Sequence, residues 1–119
     1  MKDFRQLKVW EKAHQFALEI YKVTVKFPKE ERYGLTSQIR RSSMSIPTNI
    51  AEGCGRHTDA DFGRFLQISM RSASEAEYQI LLARDLKFLP EDQYNQLQTQ
   101  VEEVKRMLAS FLKTLRNKS

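Results

Sequence analysis

Between residues 91 and 116, apolar side chains recur at spacings of three and four: Tyr94, Leu97, Val101, Val104, Leu108, Phe111 and Leu115. A strand sends successive side chains to opposite faces, so this rhythm describes a helix with one apolar stripe. A helix so striped needs partners to cover it. The rest of the chain supplies them, because its turn signals fall at three places. Phe27-Pro28-Lys29 and Tyr33-Gly34 bracket the first break, Gly53, Gly55 and His57-Thr58-Asp59 the second, and Leu89-Pro90 the third. Helices are therefore expected over about residues 4–27, 35–56, 59–88 and 91–116, within a single domain spanning 1–119. No segment alternates with a period of two. The predicted fold is all-α, an antiparallel up-down four-helix bundle, since short connections favour antiparallel neighbours.

Each of the other segments has its own pattern. In the first, Leu7, Trp10, Ala13/His14, Ala17, Tyr21, Thr24 and Phe27 form one stripe, widened by Phe16, Ile20 and Val23. Trp10 and Tyr21 are read as core residues. In the second, Leu35, Ile39, Ser42/Ser43, Ile46 and Ile50 line one side. Pro47 lies within it, has no N–H to donate and crowds the Ser43 carbonyl, so this helix is expected to bend there. In the third, Phe62, Leu66, Ser69, Ala73, Ala76, Ile80 and Ala83 form a heptad seam whose small residues admit a close neighbour. Thr58-x-x-Asp61 resembles a capping box at its start.

A chain of 119 residues with 40% hydrophobic and 29% charged residues is neither disordered nor membrane-spanning in composition. The N-terminal stretch has no apolar signal core. One cysteine, Cys54, allows no intrachain disulfide, and the expected compartment is the cytoplasm. Catalytic and metal chemistry find little support. A bundle di-iron site needs two Glu-x-x-His pairs, and only Glu11-x-x-His14 is present. Cys54 and His57 provide two metal ligands where a closed site needs four, and no third group is evident to orient a Cys–His nucleophile. Gly53-Cys54-Gly55 lacks the strand and the Gly-Lys-Ser/Thr ending of a phosphate loop. Glu75 and Glu77 diverge on their helix. No catalytic residue, metal or cofactor is assigned, and the chain is expected to be a binding and assembly module.

The net charge is +5, and it is unevenly placed: residues 1–56 hold 11 Lys/Arg against 6 Asp/Glu, while residues 57–119 hold 9 of each. A basic half of this kind can gather phosphates, and it can equally be a solvated surface. Arg40, Arg56, Arg64 and Arg71 are the candidate nucleic-acid contacts, because a planar guanidinium matches phosphate oxygens. Arg41, Asn49 and Glu52 are assigned to a structural or intersubunit cluster. The same arginines could instead meet Glu52, Glu75 or Glu77. Aromatic residues do not alternate with these arginines along the sequence, which argues against a dedicated single-strand binder.

Several of these residues form a longer pattern. Val9-Trp10, Ile20-Tyr21, Phe27-Pro28, Tyr33-Gly34-Leu35-x-Ser37-Gln38-x-Arg40-Arg41 and Asn49-Ile50-Ala51-Glu52-Gly53, followed by Arg56 and Phe65-Leu66, closely resemble the 23S rRNA intervening-sequence protein family, from about Phe4 to Leu115. The resemblance implies a four-helix bundle assembled as a homopentameric ring. It also implies kinship with the accessory variability determinant of diversity-generating retroelements, a basic pentamer that works with a reverse transcriptase and RNA. Ser42-Ser43-Met44 stands where the family often has alanine and valine, and Met70-Arg71-Ser72 where glycine commonly precedes the serine. The function expected is a non-catalytic homo-oligomer that binds RNA or a ribonucleoprotein. The alternative is a protein-interaction or structural oligomer with no nucleic-acid role.

Overall fold

Pro28 and Pro90 are the strongest punctuation in the chain, and in a computed structural model describing residues 2–118 both lie outside the α-helices. The helices are α1 (Lys8–Thr24), α2 (Leu35–Cys54), α3 (Asp59–Asp85) and α4 (Glu91–Asn117), with single 3₁₀ turns at Phe4–Gln6 and Lys29–Glu31. α1 packs on α2 and α4, and so does α3. The result is a four-helix bundle with extents of 46 × 23 × 20 Å. Cross-helix pairs set the directions. Arg41 meets Glu75, Ser45 meets Ser72 and Ile46 meets Ser69, so α2 ascends as α3 descends. Arg84 pairs with Glu91 near one end of the α3–α4 contact, and Phe62 with Phe111 near the other.

The start of α3 follows its sequence signal. Thr58 Oγ1 accepts the Asp61 N–H at 3.1 Å, the first half of a capping box. Its end departs from expectation, coming at Asp85 and not at Phe88. Lys87 takes φ 66°, Lys87 N–H donates to Arg84 O and Phe88 N–H to Ala83 O, both at 2.9 Å. That is a Schellman motif with lysine where glycine is usual. α1 also stops early, at Thr24, whose hydroxyl turns back to donate to Ile20 O at 2.7 Å. α2 runs as one helix through the buried Pro47.

The heptad seam read from α3 is buried at every position. α4 buries Leu97, Val101, Val104, Leu108 and Leu115. α1 departs from expectation at the edge of its stripe. Val9, Ala13, Phe16, Ala17, Ile20, Val23 and Thr24 are buried, while Trp10 and His14 are half-buried and Tyr21 is 41% exposed. Both rows are apolar, and a step of one residue turns a helix face by about 100°. Packing against both α2 and α4 selects the row that faces the bundle axis. Arg71 points outward, so the seam of Ser69, Ser72, Ala73 and Ala76 closes without a charge in it. No helix among the described residues is long and apolar enough to cross a membrane.

Candidate nucleic-acid interface

The serines in the middle of α2 face α3 and form a hydrogen-bonded seam. Ser42 and Ser43 are fully buried. Ser42 Oγ donates to Gln79 Oε1, Ser69 Oγ to Ile46 O at 2.9 Å, and Ser72 Oγ to Ser45 Oγ at 2.8 Å. Small side chains let the helices approach closely, and each hydroxyl brought into the dry contact finds a partner. At the end of the seam, Gly53 lies against Phe62 and Phe65.

Arg41, Asn49 and Glu52 share the stripe of α2 that runs beside this seam, but each has its own partner. Arg41 pairs with Glu75 and donates to Gln38 Oε1 at 3.1 Å. Asn49 Nδ2 donates to Ser45 O and Oγ, both at 2.9 Å. Glu52 meets Arg56 at 3.8 Å.

The four candidate phosphate contacts fall in three places. Arg56 and Arg64 come together, their guanidinium groups 4.6 and 4.7 Å from the centroid of the Phe65 ring. Their ion pairs, to Glu52 at 3.8 Å and Asp61 at 3.6 Å, are long and exposed. Such pairs are worth little in water, so both charges remain open to a stronger anion. Arg71 stands exposed on α3, with no carboxylate in ion-pairing range among the described residues. Arg40 lies near the other end of α2, about 24 Å from Arg56 along a helix rising about 1.5 Å per residue. Its Nε donates to Thr24 Oγ1 at 2.8 Å, and its guanidinium sits 4.8 Å from the Tyr21 ring centroid.

The fold thus pairs arginine with aromatic side chains distant in sequence, Arg40 with Tyr21 and Arg56 with Phe65, beside the sequence neighbours Arg64 with Phe65 and Arg32 with Tyr33. Arg32 and Tyr33 were not among the sequence candidates. Their signal was slight, an Arg-Tyr step just before the first turn of α2. A second surface also escaped notice. Phe4, Trp10, His14, Tyr21, Met44 and Pro47 line an open groove of about 730 Å³ between α1 and α2. Trp10 stacks on His14, and Leu18 and Met44, 52% and 49% exposed, border it.

Burial pushes the Cys54 thiol above its ordinary pKa, against the opposing pull of Lys2, which disfavours the thiolate a nucleophile needs. His57 is exposed and His14 stacks on Trp10. Among the described residues no three of His, Cys, Asp and Glu are placed to hold a metal ion.

Together the bundle, the hydroxyl seam and the outward arginine–aromatic pairs define a helical-bundle protein with a partly basic surface. The chain belongs to the 23S rRNA-intervening sequence protein family, which matches residues 5–110. A crystal structure of a Bacteroides thetaiotaomicron protein, described as of unknown function and from the S23 ribosomal protein family, is similar to it. The two share 30% identity at a TM-score of 0.80, over 88% of this chain and 98% of the other. A search of the curated proteins gave no match.

Proposed function

We propose that this chain is a non-catalytic homo-oligomeric scaffold, cytoplasmic, that binds RNA or a ribonucleoprotein through its basic surface. The observation that carries the reading is the state of the arginines. Among the described residues Arg40 and Arg71 have no carboxylate partner, and Arg56 and Arg64 have only long, exposed ones. Phosphates, with their stronger and denser charge, compete well for such groups. Self-assembly accounts for the exposed apolar side chains along the α1–α2 groove, which a second copy would cover. A ring requires two different faces on each subunit, and α1–α2 and α3 supply different ones. The number five rests on the family resemblance.

Titrating structured RNA across a salt series tests the reading. Several phosphate contacts predict affinity falling by roughly 10³-fold between about 50 and 200 mM salt. Replacing Arg40, Arg56, Arg64 and Arg71 should weaken binding while leaving the mass of the assembly unchanged in light scattering. Absence of binding at low salt would overturn it. The second reading, a structural or protein-binding oligomer without RNA, is favoured by the Arg41–Glu75 pair, which commits one arginine to holding α2 against α3.

A further inference from the structure

At the start of α2, where α1 ends, lies an open pocket of about 420 Å³ lined by Tyr21, Arg32, Tyr33, Ser37, Arg40 and Arg41, with Thr36 and Met44 at its wall. No lining residue is acidic. We propose that this pocket seats one nucleotide, its phosphate held by Arg32 and Arg40 and its base stacked on Tyr33. The inference rests on the basic-surface reading above and gives it a specific site.

Three independent features meet in the pocket. The first is uncommitted positive charge. Among the described residues the contacts of Arg32 and Arg40 are all with neutral groups: Arg32 with the Tyr33 ring at 5.4 Å, and Arg40 with Thr24, the Tyr21 carbonyl and the Tyr21 ring. Arg41 is different, because Glu75 already holds it. The second is a set of unused donors. Gly34 caps α2 with no side chain, and Glu31 Oε1 accepts the Leu35 N–H at 3.0 Å. The next two amides, of Thr36 and Ser37, make no hydrogen bond among the described residues, and they lie at the positive end of the helix. The Thr36 side chain is only 9% exposed, and its hydroxyl also has no partner among the described residues. A buried hydroxyl left unpaired is costly and rare, and Thr36 lines the pocket, so a change of its side-chain rotamer toward a bound phosphate oxygen would give the hydroxyl an acceptor. The third is a stacking surface. Tyr33 is 87% exposed, the most exposed large apolar side chain among the described residues, beside a guanidinium that would hold a phosphate. Aromatic rings beside arginines are how proteins grip unstacked nucleotides without reading sequence.

The chemistry recognised is a nucleoside phosphate, which could be free or part of a single-stranded RNA. Two probes separate these sources: uridine monophosphate, and a labelled ten-nucleotide uridine oligomer. With the full chain, amide NMR should show uridine monophosphate moving the Thr36 and Ser37 signals, while the oligomer binds by fluorescence anisotropy. Arg32→Gln should lower the salt slope of oligomer binding by about one. Tyr33→Leu should weaken it about tenfold with the slope unchanged, because stacking carries no charge. Arg32 and Tyr33 are both exposed, neither in the core, so both variants should keep the wild-type circular dichroism. Lys113→Gln, an exposed lysine on α4 outside the pocket, serves as the control for general charge. Oligomer binding that Arg32→Gln and Tyr33→Leu weaken no more than Lys113→Gln does would overturn the pocket and leave the scaffold reading standing. Amide shifts with the mononucleotide but no RNA binding would support the pocket and overturn the RNA scaffold. The absence of both amide shifts and variant effects would sink the pocket outright.

Discussion

Replacing Gly53 with alanine should destabilise the bundle, although alanine is the better helix former. A Cβ built at Gly53 would lie 2.8 Å from Phe62 Cδ1, 3.0 Å from Phe65 Cβ and 3.3 Å from Phe62 Cε1. Carbon atoms pack best at about 3.5–4.0 Å, so the contact must open by about half an ångström or more. Phe62 has little room to yield: it is 3% exposed, and its ring meets Phe111 edge-on at 5.2 Å. Phe65 Cβ moves only with the α3 backbone. Overpacking of this kind costs about 1–3 kcal/mol. The gain from removing a helical glycine is up to about 1 kcal/mol, and less here because Gly53 is next to the last residue of α2. The net expectation is a loss of about 1–2 kcal/mol, which moves a urea midpoint down by about 1 M at a typical slope for a small domain. Gly63→Ala is the matched control. Its added Cβ would meet only Leu115 and Leu112 at 3.9 and 4.0 Å, ordinary contact distances, so it should stabilise by about 0.5–1 kcal/mol. Both variants should be measured at one protein concentration, because self-association would add to apparent stability. A Gly53→Ala midpoint at or above wild type would show that α2 and α3 are not held this closely.

Other expectations concern single groups. Lys87→Gly should raise stability by about 0.5–1 kcal/mol, read from thermal melts, since lysine at φ 66° carries a steric cost that glycine avoids. Ser42→Ala should cost about 1–3 kcal/mol by stranding buried Gln79, and adding Gln79→Leu should recover much of it; equal losses for the single and double variants would contradict the hydrogen-bond account. The hydrogen bond from Lys105 holds Glu77 below the usual carboxylate range, against the opposing effect of burial, with Gln98 assisting. A lowered folded-state pKa gives stability that is present above the ordinary value, about 4.3, and lost as pH falls through the lower one. Urea midpoints of the wild type should therefore decline below about pH 5, and Glu77→Gln should flatten that decline.

Local signals in the chain were enough to set the number of helices, their breaks and most of the core. Those depend on local geometry: proline and glycine act where they stand, and a helix carries residues three and four apart onto one face. Hence every position read from the α3 seam is buried, and Thr58 caps as its motif suggests. In α1 the local rules left two apolar rows about 100° apart, and only docking against α2 and α4 chose Val9, Phe16 and Ile20 over Trp10 and Tyr21. The candidate site was less legible for the same reason. That Arg41 goes to Glu75, that Arg56 and Arg64 share Phe65, and that Arg32, Tyr33, Arg40 and Tyr21 gather where α1 meets α2 are facts about how helices pack. The tertiary structure alone decided them, because a side chain's partner across a bundle is set by the rotation and register of two helices, which no local spacing records.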